Sequence, residues 1–135
     1  MRIAIVSVPA QRRGVPQYCA RLQKGFEAMG HRADIIDAWT EDGFKLAAYD
    51  YITVAVETLS FFSVKLPDKL HKILSEGSGL GGKKGAAFLA KKCMRTNRAL
   101  LNIMAVMEKE GLFVNRSEII LGNDHAEALA KRIGA

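Results

Sequence analysis

Covalent and metal chemistry are nearly absent from this chain. Cys19 and Cys93 are its only cysteines among 135 residues. Two cysteines make no disulfide framework, and their spacing matches no zinc motif. His31, His71 and His125 are scattered over three segments. No His/Cys/Asp cluster therefore has metal spacing, and no metal site is expected. No run approaches the 18 or so apolar residues of a membrane-spanning helix. The N-terminus begins directly on a strand pattern, without the charged-then-apolar layout of a signal peptide. Aromatic residues make up 7% of the chain and are not interleaved with the basic ones, which argues against a nucleic-acid partner. There is no internal repeat, no low-complexity tail and no linker long enough to divide domains. These absences predict a single cytoplasmic domain over residues 1–135, with no membrane partner.

The composition is that of an ordinary globular domain: 49% hydrophobic, 25% charged, mean hydropathy +0.02. A domain of this size buries about two-thirds of its unfolded surface, so its core needs no covalent staple. The net charge is +6, from 20 basic and 14 acidic residues. Such an excess suits anionic ligands or nucleic acid, and equally a solvated surface.

The opening segment Met1–Val8 holds a continuous apolar run, Ile3 to Val6. A run of this kind reads as a strand buried on both faces, as in a parallel sheet. A polar loop, Pro9 to Gly14, leads into a helix over Pro16–Met29, whose apolar residues Tyr18, Cys19, Leu22, Phe26 and Met29 recur at spacings of three and four. Gly30 stops it. Strands are expected at 32–37, at 51–56 (rich in β-branched residues) and at 84–89, with a fifth split into 112–114 and 118–121. Residues 44–48 read as a short helical turn. Further helices are expected at 66–75, at 97–110 and from an Asp124 N-cap to Ile133.

Alternating βα units with short connections imply right-handed crossovers and helices on both sheet faces. In a sheet of order 2-1-3-4-5, strands one, three and four are neighbours. Arg12 and Arg13 follow strand one, and Lys91, Lys92, Arg95 and Arg98 follow strand four. Six cations should then gather at the carboxyl edge, where ligands of open α/β sheets bind, with Glu57 the nearest opposing charge.

The chain resembles the flavodoxin family over nearly its whole length. The resemblance rests on Met1–Val8 as strand one and on Gly25-Phe26-Glu27-Ala28-Met29-Gly30-His31 leading into strand two. It rests also on Ala48-Tyr49-Asp50-Tyr51-Ile52 leading into strand three, on Ser63–Leu70 after a Phe pair, and on Gly82-Lys83-Lys84-Gly85-Ala86-Ala87-Phe88 as strand four. It implies an α/β three-layer sandwich with a five-stranded parallel sheet in the order 2-1-3-4-5. It also implies non-covalent FMN, with a phosphate loop that includes Ser7, Gln11, Arg12, Arg13 and Gly14. A ring-facing loop would comprise Thr58, Leu59, Ser60, Phe61 and Phe62, and a third loop Lys91, Lys92 and Cys93. The family's activities are electron transfer or NAD(P)H-dependent reduction.

Two departures accompany the resemblance. The hydroxyl cluster of the phosphate loop is absent, only Ser7 and Gly14 resembling that stretch. The third loop, Ala90–Asn97, has no glycine where the backbone would approach a flavin ring. The Cys-x5-Arg signature of small phosphatases on this topology is also missing, because the sixth residue after Cys93 is Ala99 and after Cys19 is Gly25. Two functions stay open: a redox protein that binds FMN, or a degenerate domain that has lost FMN and acts as a binding or interaction module. In either case the expected partner is an anionic small molecule or nucleotide at the carboxyl edge. A homodimer is also left open.

Overall fold

The computed structural model describes residues 1–135. Five strands form one parallel sheet: β1 (Arg2–Val8), β2 (Arg32–Asp37), β3 (Tyr51–Val56), β4 (Lys84–Leu89) and β5 (Phe113–Ile119). Their order is β2-β1-β3-β4-β5, with every adjacent pair parallel. Four helices connect them: α1 (Gln17–Ala28), α2 (Asp68–Glu76), α3 (Thr96–Lys109) and α4 (Asn123–Gly134), with a short 3₁₀ helix at Phe44–Ala48.

The period of two along each strand sorts the core into two layers. Ala4, Val6 and Val8 of β1 point to the face covered by Leu70, Ile73 and Leu74 of α2 and Ala99, Ile103 and Met107 of α3. Ile3 and Ile5 point to the other face, under Tyr18, Cys19, Leu22 and Phe26 of α1 and Ala126, Leu129 and Ala130 of α4. Ile3, Ile5, Ile52, Val54, Ala87 and Leu89 are completely buried, as the apolar runs require. Burying an aliphatic side chain stabilises by about 1.5–3 kcal/mol, so these central strands supply much of the driving force and fix the positions of the loops at their ends.

Two expectations are corrected. β5 is one strand rather than two. It holds together through a bulge, its pairing with β4 passing from Val114 directly to Arg116. The polar run Asn115-Arg116-Ser117-Glu118 hides the strand in the sequence because β5 is an edge strand with largely exposed residues. Helix α4 begins one residue before Asp124, after Gly122, and has no side-chain cap. The Asp124 carboxylate instead meets the Arg21 guanidinium at 2.6 Å.

Candidate functional site

The carboxyl ends of β1, β3 and β4 lie side by side, Val8 against Val56 and Val56 against Leu89. The three loops that leave them therefore share one edge. Between them lies a cavity of about 230 Å³, lined by Ala10, Gln11, Arg13, Glu57, Thr58, Leu59, Ser60, Phe61, Lys91 and Lys92. A second cavity of about 310 Å³ adjoins it. Lys91 and Lys92 line that one as well, together with Tyr18, Ala90 and the Ile120–Asn123 segment.

Of the residues expected at a site, Gln11, Arg13, Thr58, Leu59, Ser60, Phe61, Lys91 and Lys92 thus come together. The others do not line this cavity. Ser7 is fully buried and its hydroxyl has no hydrogen-bond partner. Arg12 is exposed, and Gly14 turns the loop at φ +81°. Phe62 stands 77% exposed. Cys93 is buried in the core layer beneath α2 and α3. Neither Ser7 nor Cys93 therefore presents a group to a ligand.

Glu57 organises the cavity. It follows an entirely buried strand and its side chain is only 2% exposed. The carboxylate takes a two-pronged bond from Arg13, with Nη1 to Oε1 at 2.9 Å and Nη2 to Oε2. It also accepts the Ala10 N–H at 3.1 Å and the Tyr18 hydroxyl at 2.7 Å. Lys91 Nζ lies 3.9 Å away. Burial alone would push the Glu57 carboxyl up. The bonds from Arg13, Ala10 and Tyr18 outweigh it and hold the carboxyl below the usual carboxylate range. The Tyr18 phenol is pushed up, first by burial and then by its bond to Glu57, so it stays a donor. Arg13 is raised by its bond to Glu57. In the sequence Glu57 stands out only as the nearest opposing charge. A charge directly after an all-apolar strand was the signal that it needed a buried partner.

The loops after β3 and β4 are joined directly, the Met94 N–H donating to the Phe61 carbonyl at 2.8 Å. The β3–α2 loop is also braced within itself. Leu59 N–H donates to the Lys65 carbonyl at 2.9 Å, and Thr58 Oγ1 donates to the Ser60 carbonyl at 2.9 Å. Asn102 of α3 donates through Nδ2 to the Val64 carbonyl at 3.2 Å. Both phenylalanines consequently face outward, Phe61 54% exposed, with their rings edge to face at 5.2 Å.

Among the described residues no group of His, Cys, Asp and Glu side chains is placed to hold a metal ion. No helix is long and apolar enough to cross a membrane.

No family model matches the chain, and no curated protein matches it. Solved structures do. Oxidised flavodoxin 1 from Bacillus cereus superposes at a TM-score of 0.72 with 15% identity, over 99% of this chain and 95% of that one. The Streptococcus pneumonia TIGR4 flavodoxin gives 0.75 at 15% identity, over 97% and 96%. A short-chain flavodoxin associated with a non-canonical PDU bacterial microcompartment gives 0.70 at 11% identity, over the full length of both. Likeness at such low identity speaks for architecture: the chain has the flavodoxin-like fold.

Proposed function

We propose that this chain is a flavodoxin-fold binding module that works without FMN and meets an anionic partner at the carboxyl edge of its sheet. The observation that carries this reading is the Glu57 carboxylate. The resemblance assigns a cofactor phosphate to the β1–α1 loop, and here a carboxylate of the protein itself takes that loop's Ala10 N–H and its Arg13 guanidinium. The donors that would hold a phosphate in that loop are thereby committed to an acid of the protein itself.

The ring position is no better suited. The two loops that would hold a flavin between them are bonded to each other through Met94 and Phe61. The residues present do not fit FMN.

Titration with FMN, followed by flavin fluorescence, tests this. No saturable quenching is expected. Tight stoichiometric quenching would establish the other reading, an FMN redox protein. That reading draws on the outward Phe61 and Phe62, which sit in the loop where the resemblance puts ring-packing aromatics.

A further inference from the structure

We infer that the apolar patch made by Leu59, Phe61, Phe62 and Met94, with the unpaired cations around it, is a docking surface for an acidic segment of a partner protein. The inference rests on the FMN-free reading above and names the partner of that edge.

The first observation is exposure on a braced frame. All four residues are large, apolar and at least half exposed. They come from two loops, and the Met94–Phe61 backbone bond makes them one surface. The internal bonds of the β3–α2 loop and its tie to Asn102 hold the phenylalanines outward. Anchors held in this way lose little conformational freedom on binding.

The second observation is charge. The loop segments 9–16, 58–66 and 90–95 carry six basic residues and no acidic one. Glu57, the acid directly beside them, is buried and committed to Arg13 and Lys91. Lys92, which lines the cavity beside Phe61, and Arg95, which directly follows Met94, are exposed and have no carboxylate partner within ion-pair distance. Apolar anchors beside uncompensated cations complement a segment that carries Asp or Glu next to a large apolar residue.

Protein is favoured over other polyanions by the chemistry of the patch. Aromatic residues, Met and Arg are what protein interfaces concentrate. A single-stranded nucleic acid needs open ring faces for its bases, whereas the edge-to-face pairing of Phe61 and Phe62 takes up one such face. A lipid surface is typically met by an amphipathic helix, and these anchors lie on loops.

The test uses the full chain to select from a displayed random peptide library at low salt. Selected peptides are then synthesised, and their binding is measured by fluorescence anisotropy. Oligothymidylate and phosphatidylglycerol vesicles serve as the competing polyanions. The expected result is a consensus of Asp or Glu beside Leu, Phe or Trp, with affinity that falls as salt rises. Phe61→Ser with Phe62→Ser should weaken binding about tenfold or more, as loss of central anchors does. Lys92→Ser with Arg95→Ser should weaken it less and flatten its salt dependence. If the double Phe variant does not fold, Phe62→Ser alone takes its place, since that ring is the most exposed of the four.

Binders without acidic residues, no binders at all, or binders indifferent to both pairs of substitutions would overturn the inference. So would tighter binding to the oligonucleotide or the vesicles. FMN added to the same samples separates the two proposals. Flavin binding defeats the FMN-free reading, while flavin silence together with any of those outcomes defeats only the docking surface.

Discussion

The Glu57 carboxylate and the Arg13 guanidinium, 44 residues apart in the chain, form a two-pronged ion pair whose acid is 2% and whose base is 34% exposed. This asymmetry decides what each substitution does. Arg13→Ala strands a buried charge, which costs about 3–5 kcal/mol for a fully buried pair and almost nothing at a surface. The partly exposed Arg13, with Ala10, Tyr18 and Lys91 left to serve the acid, points to about 2 kcal/mol, screening included. Glu57→Gln keeps an acceptor for the Ala10 N–H and frees Arg13 to turn into water, so it should cost about 1 kcal/mol. Urea unfolding of both single variants and the double variant checks this. The prediction fails if Glu57→Gln is the more damaging change.

The same pair sets the acid limit. Glu57 has its carboxyl lowered in the folded state, so its contribution is complete above the unfolded-chain value of about 4.3. It is lost as pH falls through the folded value, because the unfolded chain then binds the proton first. Unfolding midpoints measured from about pH 6 down to about pH 3 should fall in the native chain. They should fall less steeply in Glu57→Gln.

The alkaline limit has a different source. Burial pushes the Cys19 thiol and the Tyr51 phenol each up to about 12. The unfolded chain gives up these protons near about 8.5 and 10. Folding therefore draws full benefit below about pH 8.5 and loses it as pH rises toward the folded values. Cys19→Ala should remove the earlier part of that decline, visible as a flatter dependence of the urea midpoint between about pH 8.5 and 10. An unchanged slope would place the alkaline sensitivity elsewhere.

The fold was legible because its signals are local. The apolar run Ile3–Val6 and the β-branched segment 51–56 read as strands, and the alternation of strand and helix then restricts the topology. The order 2-1-3-4-5 is what the resemblance implies, and the gathering of the three loops follows from that order. The site was legible in membership and not in pairing. Nothing in the sequence joins Arg13 to Glu57, or Met94 to Phe61, because those bonds depend on how loops 33 and more residues apart settle over a shared edge. The expected convergence of cations held for Arg13, Lys91 and Lys92. The use of one of them to neutralise an internal acid was outside the reach of spacing arguments. Cys93 lies on the expected loop after β4, but its side chain turns back into the core with Ala99 and Ile103, an orientation that spacing does not reveal.

Gly25 offers a test of the α1–α4 contact. A Cβ there would lie 2.5 Å from the Glu127 carbonyl oxygen and 2.6 Å from the Ala130 Cβ. The oxygen belongs to the α4 backbone and the Cβ is fixed directly to it, so neither yields much. Ala has the better intrinsic helix propensity by about 1 kcal/mol, yet Gly25→Ala should destabilise by about 1–3 kcal/mol through overpacking. A thermal midpoint at or above that of the native chain would mean that the two helices move apart freely.

The Met94–Phe61 bond gives the last prediction. Met94 is exposed and lies in a loop, where an amide facing water exchanges rapidly. Its N–H is nevertheless bonded to the Phe61 carbonyl at 2.8 Å. The Met94 amide should therefore exchange more slowly than that of Lys92, an exposed residue of the same loop whose N–H has no backbone acceptor. Slow exchange requires the two loops to stay together for most of the time. A flavin ring entering between them would have to break this bond. Hydrogen exchange read with and without excess FMN should accordingly give the same Met94 protection. Protection that disappears when FMN is added would show that the loops open for the flavin, and the FMN-free reading would fall with it.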